Sequence, residues 1–202
     1  MPKLIIGFTG PKRAGKTHCA NVMCELVKGT GETKMLAFAT PLKELMSNFF
    51  ELTHEQLHTY EGKETIDPRY GVTPRRIMEA FGTDFVRGCI PDLWVIKMKN
   101  EILTTSADYV FIHDIRFDTE ADLIRELGGT IVHLYGMRNN NPGKTPLYKR
   151  WLLPRSERGV EVMRGDLVME NLEYLDPAIT TARLDNIIRT VEYRLSTKEE
   201  RS

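Results

Sequence analysis

The first residues whose types and spacing could do chemistry are Gly10-Pro-Lys-Arg-Ala-Gly15-Lys16-Thr17, which match G-x-x-x-x-G-K-[ST] in full. Glycines at these positions let the backbone curl, so that successive N–H groups point at phosphate oxygens. Lys16 could reach the β- and γ-phosphates of a nucleoside triphosphate, and the Thr17 hydroxyl could bind Mg²⁺. The apolar run Leu4–Phe8 precedes the segment and a helical pattern follows it, as phosphate binding at a helix N-terminus requires. The pattern therefore predicts a phosphate-binding loop, and the alternative is a flexible turn that contains a lysine.

A loop of this kind needs an acidic partner for the metal ion. Asp114 ends the run Tyr109-Val-Phe-Ile-His-Asp114 and is expected at the carboxyl edge of a sheet, where ligands bind in open α/β folds. Arg116, two residues further on, could reach a phosphate. Beside an intact phosphate loop, we interpret Asp114 as a magnesium ligand rather than an ordinary aspartate at a strand end.

A second motif competes with the first. His54-Glu-Gln-Leu-His58 matches H-E-x-x-H, which in zinc proteases needs a third ligand and a buried base. Thr53 reads as a helix N-cap and Gly62 as the end of the helix, and the residues between them are mostly polar. These features favour a short surface helix, and a zinc hydrolase remains the alternative that a metal assay would reveal.

Five short apolar runs predict the strands that must position these groups. Runs of this length, bounded by loops, are typical of strands buried on both faces of a parallel sheet. They are Leu4–Phe8, Met35–Ala39, Tyr109–His113, Thr130–Tyr135 and Leu167–Glu170.

Helical spacing fills the segments between these strands. Three sets of residues are each predicted to lie on one helix face. The sets are Ala20, Met23 and Val27; Ile77, Phe81 and Phe85; and Leu184, Ile187, Ile188, Val191 and Leu195. The helix that carries Ile77 is predicted to begin at an N-cap, Thr73, followed by a proline at N1. Alternating strands and helices predict a single three-layer α/β domain over residues 1–202.

Composition and charge narrow the function further. The chain has 202 residues, 41% hydrophobic and 28% charged, and 28 basic residues balance 28 acidic ones. The zero net charge argues against a polymeric nucleic acid partner and favours a small ligand. No run approaches the roughly 18 apolar residues of a membrane helix, and no signal peptide is recognised at the N-terminus, so we expect a cytoplasmic protein without a membrane partner. The three cysteines form no CxxC pair.

One segment, about 138–158, is strongly basic. It contains six basic residues and one acid, Glu157, and shows little periodicity. Its arginines include Arg138 at the start. The segment is interpreted either as a solvated loop or as a phosphate-binding lid over the nucleotide.

The chain resembles the deoxynucleoside monophosphate kinases of tailed bacteriophages. Short blocks spread over residues 4 to about 175 carry the resemblance, and their order and combination are more specific than any one of them. The blocks are Gly10-x-Lys12-Arg13-x-Gly15-Lys16, Ala39-Thr-Pro41-Leu-Lys43, Thr73-Pro74-Arg75-Arg76, Phe81-Gly82-Thr83-Asp84 with Arg87, Asp92-Leu-Trp94-Val, Asp114-Ile-Arg116-Phe and Ser156-Glu157.

The resemblance implies an adenylate-kinase-like P-loop kinase fold with a five-stranded parallel sheet, a basic lid, and an acceptor-binding region at about 40–105. It also implies that ATP and Mg²⁺ are the cofactors and that a small nucleotide is the substrate. For a phage protein, the expected location is the host cytoplasm. A homodimer is left open. Its site residues fall into four groups. The residues that would hold ATP are Gly10, Lys12, Arg13, Ala14, Gly15, Lys16, Thr17 and His18, and those that would hold Mg²⁺ are Thr17 and Asp114. The residues that would bind the acceptor are Lys43, Arg75, Arg76, Phe81, Arg87, Trp94 and Glu157. The catalytic residues would be Lys16, Arg116 and Arg138.

The sequence departs from the family pattern at one place and leaves other functions open. Several relatives place aspartate after the loop lysine, whereas here Thr17 and then His18 follow it. The departure restores the usual magnesium ligand and is expected to alter acceptor contacts near His18. The alternatives are a P-loop kinase with another acceptor, such as dephospho-coenzyme A or a modified base in DNA, and a non-kinase ATP-binding or assembly protein. A GTPase is disfavoured because no Asn-Lys-x-Asp motif is found.

Overall fold

The computed structural model describes residues 2–136, 159–171 and 177–199. Within them, five parallel strands form one sheet in the order β2-β3-β1-β4-β5. The strands are β1 (Leu4–Thr9), β2 (Thr33–Leu36), β3 (Tyr109–Ile115), β4 (Thr130–Gly136) and β5 (Leu167–Asn171). All six residues of β1 are buried, which confirms a central strand covered on both faces.

Among the described residues, helices lie between β1 and β2, between β2 and β3 and between β3 and β4, and one follows β5. They are α1 (Lys16–Leu26), α2 (Thr40–Phe50), α3 (His54–His58), α4 (Tyr60–Glu64), α5 (Pro74–Glu79), a π-helix (Ala80–Val86), α6 (Arg87–Cys89), α7 (Leu93–Thr104), α8 (Asp118–Glu126) and α9 (Pro177–Glu199). No helix within the described ranges is long and apolar enough to span a bilayer.

The chain divides into two compact units. The first comprises residues 1–37 and 99–202 and contains the sheet, and the second comprises residues 38–98 and contains short helices. The acceptor-binding region predicted at about 40–105 overlaps the second unit.

The core of the first unit confirms two of the predicted helix faces. Ala20, Met23 and Val27 are buried with β1 and β3, and four of the five residues predicted on the last helix are buried in the same cluster. The fifth, Leu195, is partly buried and packs against it.

The second predicted strand was wrong in position. We expected Met35–Ala39, but β2 is Thr33–Leu36, and Thr33 pairs with Tyr109 of β3. Because β2 lies at the edge of the sheet, it needs fewer apolar side chains than a central strand. Phe38, which contributed to the apolar run, is buried as the first residue of the second unit.

The predicted helix across the H-E-x-x-H motif is two helices. Thr53 caps α3 as expected, with a reciprocal capping box to Gln56. The helix ends at His58, and Thr59 then caps α4 by accepting a hydrogen bond from the Gly62 N–H at 2.9 Å. Gly62 does not stop a helix; a Cβ there would lie 2.4 Å from the Glu55 carbonyl oxygen, so the close approach of the two helices requires glycine.

The expectation that Ile77, Phe81 and Phe85 share a helix face was wrong for Phe85. Thr73 caps α5 and Pro74 follows, as predicted, but from Ala80 the chain continues as a π-helix. Its i→i+5 hydrogen bonds add a residue to each turn, so residues four apart no longer lie above one another. Ile77 is buried, whereas the side chain of Phe85 is 61% exposed.

A buried polar cluster joins three segments of the first unit. Asp166, in the loop before β5, accepts hydrogen bonds from Nη2 of Arg125 at 2.6 Å and from the Met163 N–H at 2.9 Å. Nε2 of His133 on β4 lies 2.9 Å from the same carboxylate. Burial raises the pKa of Asp166, but the hydrogen bonds from Arg125, Met163 and His133 outweigh it and hold the pKa below its ordinary value. The charged carboxylate is therefore the stable form in the fold.

Candidate functional site

The loop between β1 and α1 has the backbone of a phosphate cradle. Gly10 and Gly15 have φ of +147° and +83°, and Arg13 has φ of +67°. A Cβ on Gly10 would lie 2.3 Å from the backbone oxygen of Leu134 on β4, so no larger residue fits beside that strand. Arg13 and Gly15, on either side of Ala14, both have positive φ and curl the loop tightly just before α1; backbone of this kind forms the anion-binding nests that precede helices. Arg13 accepts a strained conformation within this nest.

Lys16, the first residue of α1, folds back over the loop. Its Nζ donates hydrogen bonds of 2.8 Å to the carbonyl oxygens of both Gly10 and Pro11. Burial, followed by repulsion from Arg116 and opposed by attraction to Asp114, lowers the pKa of Lys16 to about 8. Two neutral carbonyl groups thus leave the ammonium group short of compensating charge. A polyphosphate supplies negative charge of the kind that this position lacks.

The groups predicted to hold a metal lie on α1 and the neighbouring strand β3. The Thr17 hydroxyl is 3.3 Å from Nδ1 of His113, and the next residue of β3 is Asp114. Within the described ranges there is no group of three or more His, Cys, Asp or Glu that could hold a metal by itself. A hydroxyl and one carboxylate, completed by phosphate oxygens and water, fit the way Mg²⁺ is bound together with a nucleotide. Sequence reasoning missed His113, although its place beside Asp114 at the strand end could have pointed to it.

The remaining predicted ATP ligands lie in the loop itself or at the start of α1. Ala14 is buried in the core below it, whereas Lys12, Arg13 and His18 are exposed. All four lie within the segment that joins β1 to α1 or in the first turn of α1. As individual ATP contacts they stay predictions.

The second unit carries the predicted acceptor cations. Lys43 lies on α2 and Arg87 begins α6. Arg75 and Arg76 lie in the first turn of α5, where the helix dipole disfavours positive charge.

Carboxylates within the unit neutralise both arginines of α5. Nε of Arg75 donates to Glu64, and Nη1 of Arg76 donates to Asp84 at 3.3 Å. Both ion pairs are partly or largely exposed, so water screens them and an incoming phosphate can compete for them.

The two predicted stacking residues differ in exposure. Trp94 on α7 is 6% exposed, and its Nε1 donates a 3.1 Å hydrogen bond to the Gly82 carbonyl. This arrangement favours a packing role for Trp94. Phe81 is partly exposed, and its ring lies between Phe50 at 6.3 Å and Phe85 at 5.7 Å between centroids. Base stacking by Trp94 or Phe81 stays a prediction.

Some predicted features cannot be placed. Arg138, Glu157 and the whole lid-like segment 138–158 lie outside the described residues. His54 and His58 of the competing motif are placed, and their rings stack in parallel with centroids 4.2 Å apart.

The fold of this protein is of the P-loop kinase class. The central strand of its parallel sheet leads through a glycine-containing loop into a helix, and a lysine folds over that loop. Residues 64–180 match the family model described as deoxynucleotide monophosphate kinase. The chain belongs to the deoxynucleotide monophosphate kinase family and is a nucleotide kinase, which confirms the resemblance and the fold predicted from the sequence.

Two curated relatives carry the same description. A putative deoxynucleotide monophosphate kinase of Acanthamoeba polyphaga mimivirus is 32% identical over 145 residues, which cover 65% of this chain and 73% of the relative. The deoxynucleotide monophosphate kinase of Enterobacteria phage T4 is 28% identical over 103 residues, 48% of this chain and 38% of the phage protein. Among solved structures, TT1252 from Thermus thermophilus has a TM-score of 0.50 at 17% identity and covers 96% of this chain and 99% of its own, a likeness of fold alone.

Proposed function

We propose that the protein transfers the γ-phosphoryl group of ATP to a deoxynucleoside monophosphate, giving the diphosphate and ADP. The observation that carries the proposal is the loop between β1 and α1, in which Lys16 is folded over a nest of backbone N–H groups and lacks a full counter-charge. Membership of the deoxynucleotide monophosphate kinase family supports the choice of acceptor.

Lys16 has the central part in this proposal. Its two hydrogen bonds to Gly10 and Pro11 hold the ammonium group at the mouth of the nest in the free protein. On binding, the β- and γ-phosphates would replace these carbonyl oxygens and neutralise the charge. Arg116, whose charge acts on Lys16, would add positive potential beside the transferring group.

Mg²⁺ bound with ATP would neutralise charge on the β- and γ-oxygens. Thr17 and Asp114 are the residues we assign to hold it. The hydroxyl of Thr17 faces Nδ1 of His113 at 3.3 Å, and this contact keeps it close to the end of β3.

The acceptor phosphate would bind to cations of the second unit, Lys43, Arg75, Arg76 and Arg87. The pairs of Arg75 with Glu64 and of Arg76 with Asp84 are partly or largely exposed and screened by water, so an incoming phosphate could replace these carboxylates as the partner of the arginines. Phosphoryl transfer needs alignment of donor and acceptor more than covalent chemistry by the protein. The proposal therefore includes no covalent intermediate.

The test is a coupled ADP-release assay with Mg·ATP and each deoxynucleoside monophosphate in turn. We expect release that depends on one or a few monophosphates and is lost in Lys16→Ala. Lys28→Ala is the matched control, because Lys28 is exposed and pairs only locally with Glu25 at 3.1 Å. Release that no monophosphate stimulates would contradict the proposed acceptor class.

A further inference from the structure

The π-helix Ala80–Val86 changes which side chains the second unit presents to solvent. An α-helix that continued from α5 would place Phe85 one turn beyond Phe81 on the buried face. The wider π turn instead leaves the Phe85 ring 61% exposed. Such insertions carry an energetic cost and occur frequently at functional sites.

Two neighbouring helices hold the π-helix at Gly82. The indole N–H of Trp94 on α7 donates to the Gly82 carbonyl at 3.1 Å. A Cβ at Gly82 would also lie 2.4 Å from Cδ2 of Leu42 on α2, so the two segments are in close contact. Gly82 is therefore fixed by a hydrogen bond from one helix and by packing against another.

The exposed ring of Phe85 is supported from behind. It packs against Phe81 with centroids 5.7 Å apart and planes tilted by 42°, and Phe81 in turn meets Phe50 at 6.3 Å. A ring supported in this way loses little rotational freedom when it binds a flat partner.

Cationic side chains lie close to Phe85 in the chain. Arg87 follows two residues later, and Asp84, the preceding residue, pairs with Arg76 at 3.3 Å. A nucleoside monophosphate presents a flat base and a phosphate dianion, and it needs an aromatic face and cations on one scaffold. The segment that carries the exposed Phe85 ring therefore also carries Arg87, and through Asp84 it is tied to Arg76.

We propose that Phe85 is the residue on which the base of the acceptor nucleotide stacks, and that Trp94 is a positioning residue that holds the π-helix through Gly82. This inference rests on the proposed function. It names Phe85 as the stacking residue in place of the two that the sequence predicted, Trp94 and Phe81.

Steady-state kinetics of four variants test the proposal. Phe85→Ala should raise KM for the monophosphate about tenfold, which corresponds to about 1.4 kcal/mol and lies within the range measured for base–aromatic stacking. Phe85→Tyr, which keeps the ring, should restore the wild-type KM. Trp94→Phe should raise the same KM and leave KM for ATP unchanged, a selectivity that general loss of stability would not give. Phe49→Ala is the matched control, because Phe49 is an exposed aromatic residue of the same unit, at 73%.

The outcomes separate this inference from the proposed function. If the wild-type protein phosphorylates no monophosphate, the proposed function fails. If the wild type is active but Phe85→Ala keeps its KM, or Phe49→Ala changes it equally, the stacking role of Phe85 is overturned. Light scattering tests whether the exposed ring instead contacts another copy of the chain. If Phe85→Ala changes the oligomeric state and leaves KM unchanged, the ring belongs to such a contact and the proposal is overturned.

Discussion

ATP binding should depend on pH because of the surroundings of Lys16. Burial, with a smaller contribution from Arg116, lowers the pKa of this lysine from 10.5 to about 8. A polyphosphate beside the ammonium group favours its charged form, so binding moves the pKa back up. The free protein must then take up a proton when it binds ATP at a pH near or above 8.

The magnitude follows from the charged fraction of Lys16. With a pKa of about 8, about nine tenths of the free protein carries the charge at pH 7 and about one tenth at pH 9. Because only the charged form binds strongly, Kd for ATP should rise about tenfold between these pH values, or about 1.4 kcal/mol. Proton uptake per ATP should rise from about 0.1 to about 0.9 over the same interval.

Isothermal titration calorimetry with Mg·ATP measures both quantities. Titrations at pH 7, 8 and 9, in pairs of buffers with different ionisation enthalpies, give Kd and the number of protons taken up. The control is Lys16→Met, which removes the titrating group while ATP's own ionisation remains common to both proteins. Equal pH dependence of Kd in the wild type and Lys16→Met would refute the reasoning.

Three further predictions concern the loop, the metal and the fold. Gly10→Ala should abolish ATP binding and lower Tm, because the added Cβ would lie 2.3 Å from the Leu134 backbone oxygen. Gly29→Ala is the control and should retain binding, because Gly29 also has a positive φ, of +92°, but a Cβ there would have no atom within 4 Å. Thr17→Ala should raise the Mg²⁺ concentration for half-maximal activity by about tenfold or more, and Thr17→Ser should preserve it. Asp166→Asn should lower the free energy of unfolding in urea by about 2 kcal/mol, since it removes the charge of a carboxylate that is 3% exposed and accepts hydrogen bonds from Arg125. Asp185→Asn, at an exposed pair, should change the same free energy by less than about 1 kcal/mol.

The phosphate loop was predictable because its information is local. The spacing from Gly10 to Thr17 fixes the backbone, and the flanking strand and helix are visible in the apolar pattern. The five parallel strands were predictable from the short apolar runs and the family resemblance, whereas their order was not predicted and is known from the structure. The position of β2 was harder to predict, because an edge strand tolerates polar residues such as Thr33 and Lys34.

Features that depend on distant contacts were not predictable. The π-helix is held by Trp94 and Leu42, which lie outside it, so helical spacing alone placed Phe85 in the core. The contact of Asp166 with Arg125 joins residues 41 positions apart, and no local pattern indicates such a pair. In the same way, the contact between Thr17 and His113 spans 96 positions and appears only once β3 lies beside β1.

Transfer of the γ-phosphoryl group from ATP to a monophosphate can be tested by tracing that phosphate. The protein is incubated with Mg·ATP labelled in the γ-phosphate, with and without each deoxynucleoside monophosphate, and the products are separated by chromatography. We expect label in the deoxynucleoside diphosphate, and we expect it to be lost in Lys16→Ala. Label found only in inorganic phosphate, in equal amounts whether or not a monophosphate is present, would contradict it.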